Sequence, residues 1–339
     1  MKLISYLTSD NEERLALIIN NNIVDLEQNA KESGNLLPSS MNEFLHRSDE
    51  LLRKAEQVQD AFLSGKTNLI VNSNETNPLA PVPHPTSCRD AYAFRQHVAT
   101  ARRNRGLDMI PEFDQFPVFY FTNHNAIIGE GDLVVESDHL QKLDFELEVA
   151  AVIGKRGKNI EAKDADSYIV GLTIMNDFSA RTLQMEEMKL NLGPAKGKDF
   201  ATAIGPWLVT MDELEEFKIE TPTGNKYDLR MTAHHNGTLI SDGNMKDINW
   251  TFAEIIERVS YGVEIFPGDV IGSGTVGTGC YLELNGTNEL KAKETGESFE
   301  PTWLEVGDTI DLEITGLGKL SNRIVKAEPQ RSILAKKKP

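Results

Sequence analysis

The chain has 339 residues, 40% of them hydrophobic and 26% charged, enough for one large domain or two unequal ones with ample core. A formal charge of −17, with no basic stripe carrying interleaved aromatics, excludes nucleic acid as the expected partner. Two cysteines, Cys88 and Cys280, are too few for a disulfide framework, and no long apolar run opens the chain, so a reduced cytoplasmic setting without a leader or membrane span is expected.

Strand signals come first, at Leu3–Leu7, Leu15–Ile19 and Ile23–Leu26, with Asn20-Asn21-Asn22 as the hairpin turn between the last two. Residues 41–64 change to helical spacing, with Leu51, Leu52, Ala55, Val58 and Phe62 on one face. These features predict a small N-terminal α+β domain over residues 1–71. Pro78, Pro81, Pro83 and Pro85 then fix an extended linker over 72–85. The remainder, 86–335, reads as one strand-rich domain. A helix is expected from Ser87 or Asp90 onward through Tyr92, Phe94, His97 and Ala101, which would set Asp90 and His97 about two turns apart on one face. Strands follow at Val118–Phe121, Leu133–Val135, Ser167–Met175 and Trp207–Val209, and the last third alternates strand signals with glycine turns. The lysine-rich tail at 336–338 reads as disordered.

The most informative stretch is Leu143–Gly154. Its alternation would line Asp144, Glu146 and Glu148 along one face of a strand that runs directly into the apolar Val149–Ile153. A solvated face on an acidic protein explains this simply. Carboxylates adjoining a core, however, require positive charge, and a hard divalent cation supplies it. Asp177, ending an apolar strand, and Asp90 complete an all-oxygen set that suits Mg²⁺, Ca²⁺ or Mn²⁺ better than zinc. His97 is either a structural histidine or a base for activating water beside such a metal. His234-His235 reads as a surface pair, and His124 as a loop residue that could approach the site. The Gly272–Gly279 loop lacks the phosphate-loop ending and a clear following helix, so it reads as a turn that lets a ligand approach closely. Arg181 and Lys198 are solvated charges by default, but on so acidic a chain an anion site would need some of them.

Six segments, in order, resemble the fumarylacetoacetate hydrolase family: Arg89–His97, Asp144–Glu148, Met175–Arg181, Gly197–Phe200, Gly205–Trp207 and Gly272–Thr275. The resemblance implies a mixed β-sandwich roll, a homodimer, metal ligands at Asp90, Glu146, Glu148 and Asp177, and a catalytic histidine at His97. It further implies substrate and oxyanion contacts at Tyr92, Tyr120, Arg181, Gln184, Lys198 and Thr275, with Arg105 as the best match for another arginine and Arg102 and Arg103 as alternatives. Asp144 matches no ligand position. Short family members, acylpyruvases and oxaloacetate decarboxylases, carry a glutamate three residues after the histidine, where this chain has Thr100. The Cys280–Asn285 segment resembles the fumarylacetoacetase version, which makes Glu283 the partner of His97.

That resemblance implies metal-dependent hydrolysis of a β-diketo acid, with Mg²⁺ the leading ion and fumarylacetoacetate, cleaved to fumarate and acetoacetate in tyrosine breakdown, the leading substrate. Alternatives within the family are acylpyruvate (such as fumarylpyruvate) hydrolysis, dehydration of a 2-keto-3-deoxy sugar acid and oxaloacetate decarboxylation. Outside it stands a Ca²⁺-stabilised binding protein in which His97 and Lys198 are incidental.

Overall fold

The computed structural model describes residues 1–338 and is mixed α+β and strand-rich. Its large sheet has eleven strands, whose main path runs Asn22–Asp25, Glu13–Ile19, Lys2–Leu7, Thr202–Thr210, Ile169–Asp177, Leu147–Ile153, Asp269–Gly272, Ser87–Ala91, Phe119–Thr122. A second sheet of five strands runs Thr238–Asn244, Arg230–His235, Thr309–Ile314, Gly318–Lys326, Gly131–Val135. The central strands of the two sheets pack face to face, as a sandwich requires.

Strand Leu147–Ile153 lies at the centre of this arrangement and is buried along its whole length. Period-two alternation divides it between two cores. Leu147, Val149, Ala151 and Ile153 join the core between the sheets, with Ile310, Leu312 and Met231. Ala150 and Val152 point the other way, into a core roofed by Leu26, Met41, Phe44, Leu51, Ala55 and Val58. The N-terminal segment therefore covers one face of the large sheet and also extends it, through Lys2↔Val209 and Leu3↔Leu208 pairing. The proline-rich stretch runs extended along the first strand, with Tyr6↔Pro78 and Leu7↔Asn77 in register.

The second hairpin, between Glu13–Ile19 and Asn22–Asp25, turns at Asn20 and Asn21, both left-handed at φ 49° and 64°, a conformation that asparagine tolerates better than most residues. The helical stretch at 41–64 is two helices, Met41–His46 and Ser48–Leu63, broken at Arg47.

Three sequence expectations are corrected. Residues 87–91 form a strand, not the start of a helix: Cys88–Ala91 are buried and Asp90 pairs with Gly272 in a parallel ladder, so sheet pairing overrides local propensity. Only Arg95–Arg103 is helical, and Asp90 and His97 lie on different elements. A helix, Tyr281–Thr295, does follow the glycine loop. The tail is docked, because the buried Asp138 carboxylate accepts from Ser332 Oγ at 2.7 Å and from the Ile333 and Leu334 amides at 2.6 and 3.0 Å, while Lys337 pairs with Glu186. No helix among the described residues is long and apolar enough to cross a membrane.

Candidate active site

The sheet brings distant carboxylates together at one end of its central strands. Pairing of Leu147–Ile153 with Asp269–Gly272, and of that strand with Ser87–Ala91, carries Asp90 beside Glu146 and Glu148, and one oxygen from each lies within 4.8 Å of the others. Gly272 makes this approach possible: a Cβ there would stand 2.5 Å from Asp90 Oδ1. The ladder to Ile169–Asp177 places Asp177 alongside, and Asn176 Oδ1 fixes the Glu146 amide at 2.9 Å. Thr275 Oγ1 donates to Glu148 Oε1 at 3.3 Å, and the Gly274 amide to Asp90 Oδ1 at 3.1 Å.

The expected single carboxylate face is interrupted. Leu143–Asp144 is a separate short strand paired with Ser179–Ala180, so Asp144 turns away from the cluster while Glu146 and Glu148 converge on it.

Two buried cations stand against this negative charge. Lys198 Nζ bridges Glu146 Oε2 at 2.6 Å and Asp177 Oδ2 at 2.7 Å. Arg181 Nη2 reaches Glu146 Oε1 at 2.7 Å and Asp144 Oδ2 at 2.8 Å, and its Nη1 donates to Gln184 Oε1 at 3.0 Å. Burial works to raise the Glu146 carboxyl, but Lys198 and Arg181 hold it down to about 2. Burial and the nearby Asp177 carboxylate push Asp90 up to about 8. Burial, then Asp90 and Glu146, raise Glu148 well above the carboxylate range. Two ammonium and guanidinium charges thus do not neutralise four carboxylates. Glu148 Oε2 and Asp177 Oδ1 are buried with no hydrogen-bond partner. Orphaned, converging, oxygen-only donors fit a hard divalent cation, and Asp90, Glu146, Glu148 and Asp177 are the residues that would hold it.

His97 faces the same cavity from helix Arg95–Arg103. Its Nδ1 is 2.7 Å from Glu283 Oε2, and both side chains are buried. Glu283 is itself fixed, with Oε1 accepting from the Thr278 amide at 3.0 Å. Asn104 Nδ2 ties the histidine helix to the Glu283 carbonyl at 3.0 Å. Tyr92 packs edge-on against the His97 ring, centroids 5.6 Å apart, and burial pushes its hydroxyl up to about 12. Tyr120 donates its hydroxyl to Asp177.

The cavity, of about 820 Å³, is lined by Asp90, Tyr92, His97, Tyr120, Glu146, Arg181, Gln184, Lys198 and Thr275. Of the three candidate arginines, Arg102 and Arg105 line it, whereas Arg103 Nη2 reaches Thr287 Oγ1 at 3.4 Å. Away from the carboxylates the wall becomes apolar, with Ile110, Val118, Met185, Leu282, Phe299 and Trp303, none of which was expected to line the site. His124 is exposed and off the cavity. His235 is not a surface residue: its Nδ1 meets Tyr281 Oη at 2.5 Å and its Nε2 meets Asp308 at 2.9 Å. Cys88 and Cys280 are buried free thiols.

A family model described as fumarylacetoacetate (FAA) hydrolase C-terminal matches residues 86–325. The chain belongs to this family. Its relatives include a fumarylacetoacetase of Arabidopsis thaliana, 28% identical over 86% of this chain and 78% of that protein. Oxaloacetate tautomerase YisK of Bacillus subtilis (strain 168) is also 28% identical, over 91% of this chain and 94% of its own. Among solved structures, the fumarylacetoacetate hydrolase from Exiguobacterium antarcticum superposes with a TM-score of 0.67 at 24% identity, covering 96% of this chain and 100% of its own. Maleylpyruvate hydrolase from Sphingobium sp. SYK-6, solved with manganese(II) and pyruvate, has a TM-score of 0.66 at 19% identity, over 97% of this chain and 100% of its own. These two share the fold. The relatives thus carry the names of a hydrolase and a tautomerase.

Proposed function

We propose that the protein hydrolyses a carbon–carbon bond of a β-diketo acid, with fumarylacetoacetate the leading substrate and Mg²⁺ the leading ion. The observation that carries this reading is the buried His97–Glu283 pair beside an oxygen-only carboxylate cluster. When bound, a divalent cation supplies Lewis acidity toward the two diketo oxygens.

The chain's own residues account for the remaining chemistry. Glu283 holds the Nδ1–H tautomer of His97, which leaves Nε2 as an acceptor for the cavity. That nitrogen takes a proton from water, and the oxygen attacks a carbonyl carbon. Lys198 and Arg181, already charged and buried, stabilise the alkoxide that forms, with Gln184 steering the guanidinium. Collapse of the alkoxide breaks the carbon–carbon bond, and His97 returns its proton to the leaving carbanion. Arg102 and Arg105 offer the distal end of a small anionic substrate its charge partner, since an acidic protein repels such a molecule elsewhere. A homodimer in the cytoplasm is part of this reading, supported by the family resemblance.

A tautomerase reading is favoured by the equal identity of the oxaloacetate tautomerase. It uses the same His97 but breaks only a carbon–hydrogen bond. Fumarylacetoacetate, acylpyruvates, oxaloacetate and keto-deoxy acids assayed with Mg²⁺ and Mn²⁺ separate the two. Cleavage products from a diketo acid support the hydrolase, whereas enol–keto interconversion of oxaloacetate without any cleavage overturns it. No turnover of any substrate, with metal raising stability alone, supports the binding protein instead.

A further inference from the structure

Asp144 shares the acidic run with Glu146 and Glu148 but lies outside the metal cluster, and its surroundings are as specific as theirs. Its side chain is 0% exposed. Oδ2 accepts from Arg181 Nε at 2.9 Å, from Arg181 Nη2 at 2.8 Å and from the Leu282 amide at 2.9 Å. Oδ1 accepts from the Tyr281 amide at 2.7 Å and from its neighbour Phe145 at 2.9 Å. Every one of these partners is a donor, and both oxygens accept, which is the pattern of an ionised carboxylate.

Tyr281 and Leu282 open helix Tyr281–Thr295, whose third residue is Glu283. Cys280, at the cap position, makes no side-chain capping bond, so the first-turn amides are satisfied from a strand remote in sequence. The same carboxylate holds the guanidinium edge of Arg181, and backbone pairing of Asp144 with Ser179 fixes the strand just before that arginine.

We propose that Asp144 is a positioning residue that ties the Arg181 guanidinium and the first turn of the Glu283 helix to one buried carboxylate, keeping the anion-binding arm in register with the His97–Glu283 pair. The inference rests on the reading above, in which those two arms act on one substrate. Glu146 meets only Nη2 of Arg181 and Gln184 only Nη1, so neither reaches the Nε edge. Asp144 closes that edge, and its bond to Nε fixes the plane of the guanidinium. Loss of the charge would release both arms together.

The test is Asp144→Asn, read by kcat and KM and by amide hydrogen exchange across residues 278–290. An amide of the same shape turns donors toward donors. The expected result is a kcat lower by roughly 10–100-fold, as for other residues that orient catalytic groups through a second layer of hydrogen bonds, with a smaller change in KM. Exchange should rise by at least about tenfold at the first turn of Tyr281–Thr295 and stay unchanged in Ile169–Asp177, which a general loss of stability would not produce. Combination with Arg181→Lys, and separately with Glu283→Gln, should be less than additive in both cases. A folded Asp144→Asn protein with wild-type first-turn exchange, or with kcat within about twofold of wild type, overturns the proposal. Asp144→Glu, which keeps the charge one methylene out of place, serves if Asp144→Asn does not fold, and wild-type kcat with wild-type exchange in it is equally contrary. A wild-type protein inert on every diketo acid would remove the functional reading and leave the tether to be judged by exchange and by oxalate affinity of the manganese-loaded protein. Oxalate affinity and exchange both unchanged in Asp144→Asn overturn it.

Discussion

Glu283→Gln is the sharpest perturbation of the proposed base, because it changes one proton and almost no volume. Glu283 Oε1 accepts from the Thr278 amide at 3.0 Å and Oε2 faces His97 Nδ1 at 2.7 Å. A glutamine keeps its oxygen on the Thr278 donor, so its NH₂ must face Nδ1. Nδ1 then has to accept, and the single proton of neutral imidazole moves to Nε2, the nitrogen required to take a proton from water. General base catalysis contributes roughly 10²–10⁴-fold, equivalent to about 3–5 kcal/mol of barrier, and the variant should lose most of it. Glu283→Ala imposes no tautomer and should be no worse than Glu283→Gln. The assay is steady-state turnover of metal-loaded protein on whichever diketo acid the wild type cleaves, with Tm measured alongside. A Glu283→Gln protein within about threefold of wild-type kcat would refute the tautomer argument.

Lys198→Met removes the ammonium that bridges Glu146 and Asp177, leaving buried carboxylates uncompensated, so it should cost about 3–5 kcal/mol in metal-free protein and abolish turnover. Chemical denaturation with and without Mg²⁺ measures this, and unchanged stability of the metal-free variant would contradict it. Metal binding should tighten with rising pH. Asp90 has an ordinary value near 3.8 that is pushed up to about 8, so between those values the native metal-free protein holds a proton that the unfolded chain does not. This contribution to metal-free stability is therefore full below the unfolded value and is lost as pH rises toward the folded one, whereas a cation binds only the deprotonated cluster. The Tm gain on adding Mg²⁺ should be larger at about pH 8 than at about pH 6, and an equal gain would count against the assigned ligand. Gly272→Ala should weaken metal affinity, because its Cβ would stand 2.5 Å from Asp90 Oδ1 and 2.8 Å from Met175 Sδ; calorimetric titration with Mn²⁺ at wild-type affinity would show that the close approach is not required.

Much of the site could be read in the chain because its residues occur in short runs with distinctive spacing. Glu146 precedes, and Glu148 lies near the start of, a strand whose apolar continuation declared its burial, and Asp177 ends another such strand. The parallel pairing of Ser87–Ala91 with Asp269–Gly272 could not be read, because it joins segments far apart in sequence, and local propensity favoured a helix there. The Tyr281–Thr295 helix was hidden for a different reason. Its run Tyr281-Leu282-Glu283-Leu284-Asn285-Gly286 has no clean apolar stripe, since its buried positions include Glu283 and Asn285 and serve the site rather than the core. Gly286 lowers helix propensity, but a Cβ there would stand 2.6 Å from Asn104 Nδ2, so close packing against the histidine helix accounts for it. The role of Asp144 needed three dimensions, because its partners lie at Arg181 and at 281–282.

The most direct measurement is product analysis of the wild-type protein incubated with fumarylacetoacetate, before and after exhaustive chelation and Mg²⁺ add-back, with His97→Ala in parallel. The proposed chemistry predicts fumarate and acetoacetate in equal amounts from the loaded wild type, and loss of both on chelation or in His97→Ala. Undiminished cleavage by His97→Ala, or full activity after chelation, would contradict it.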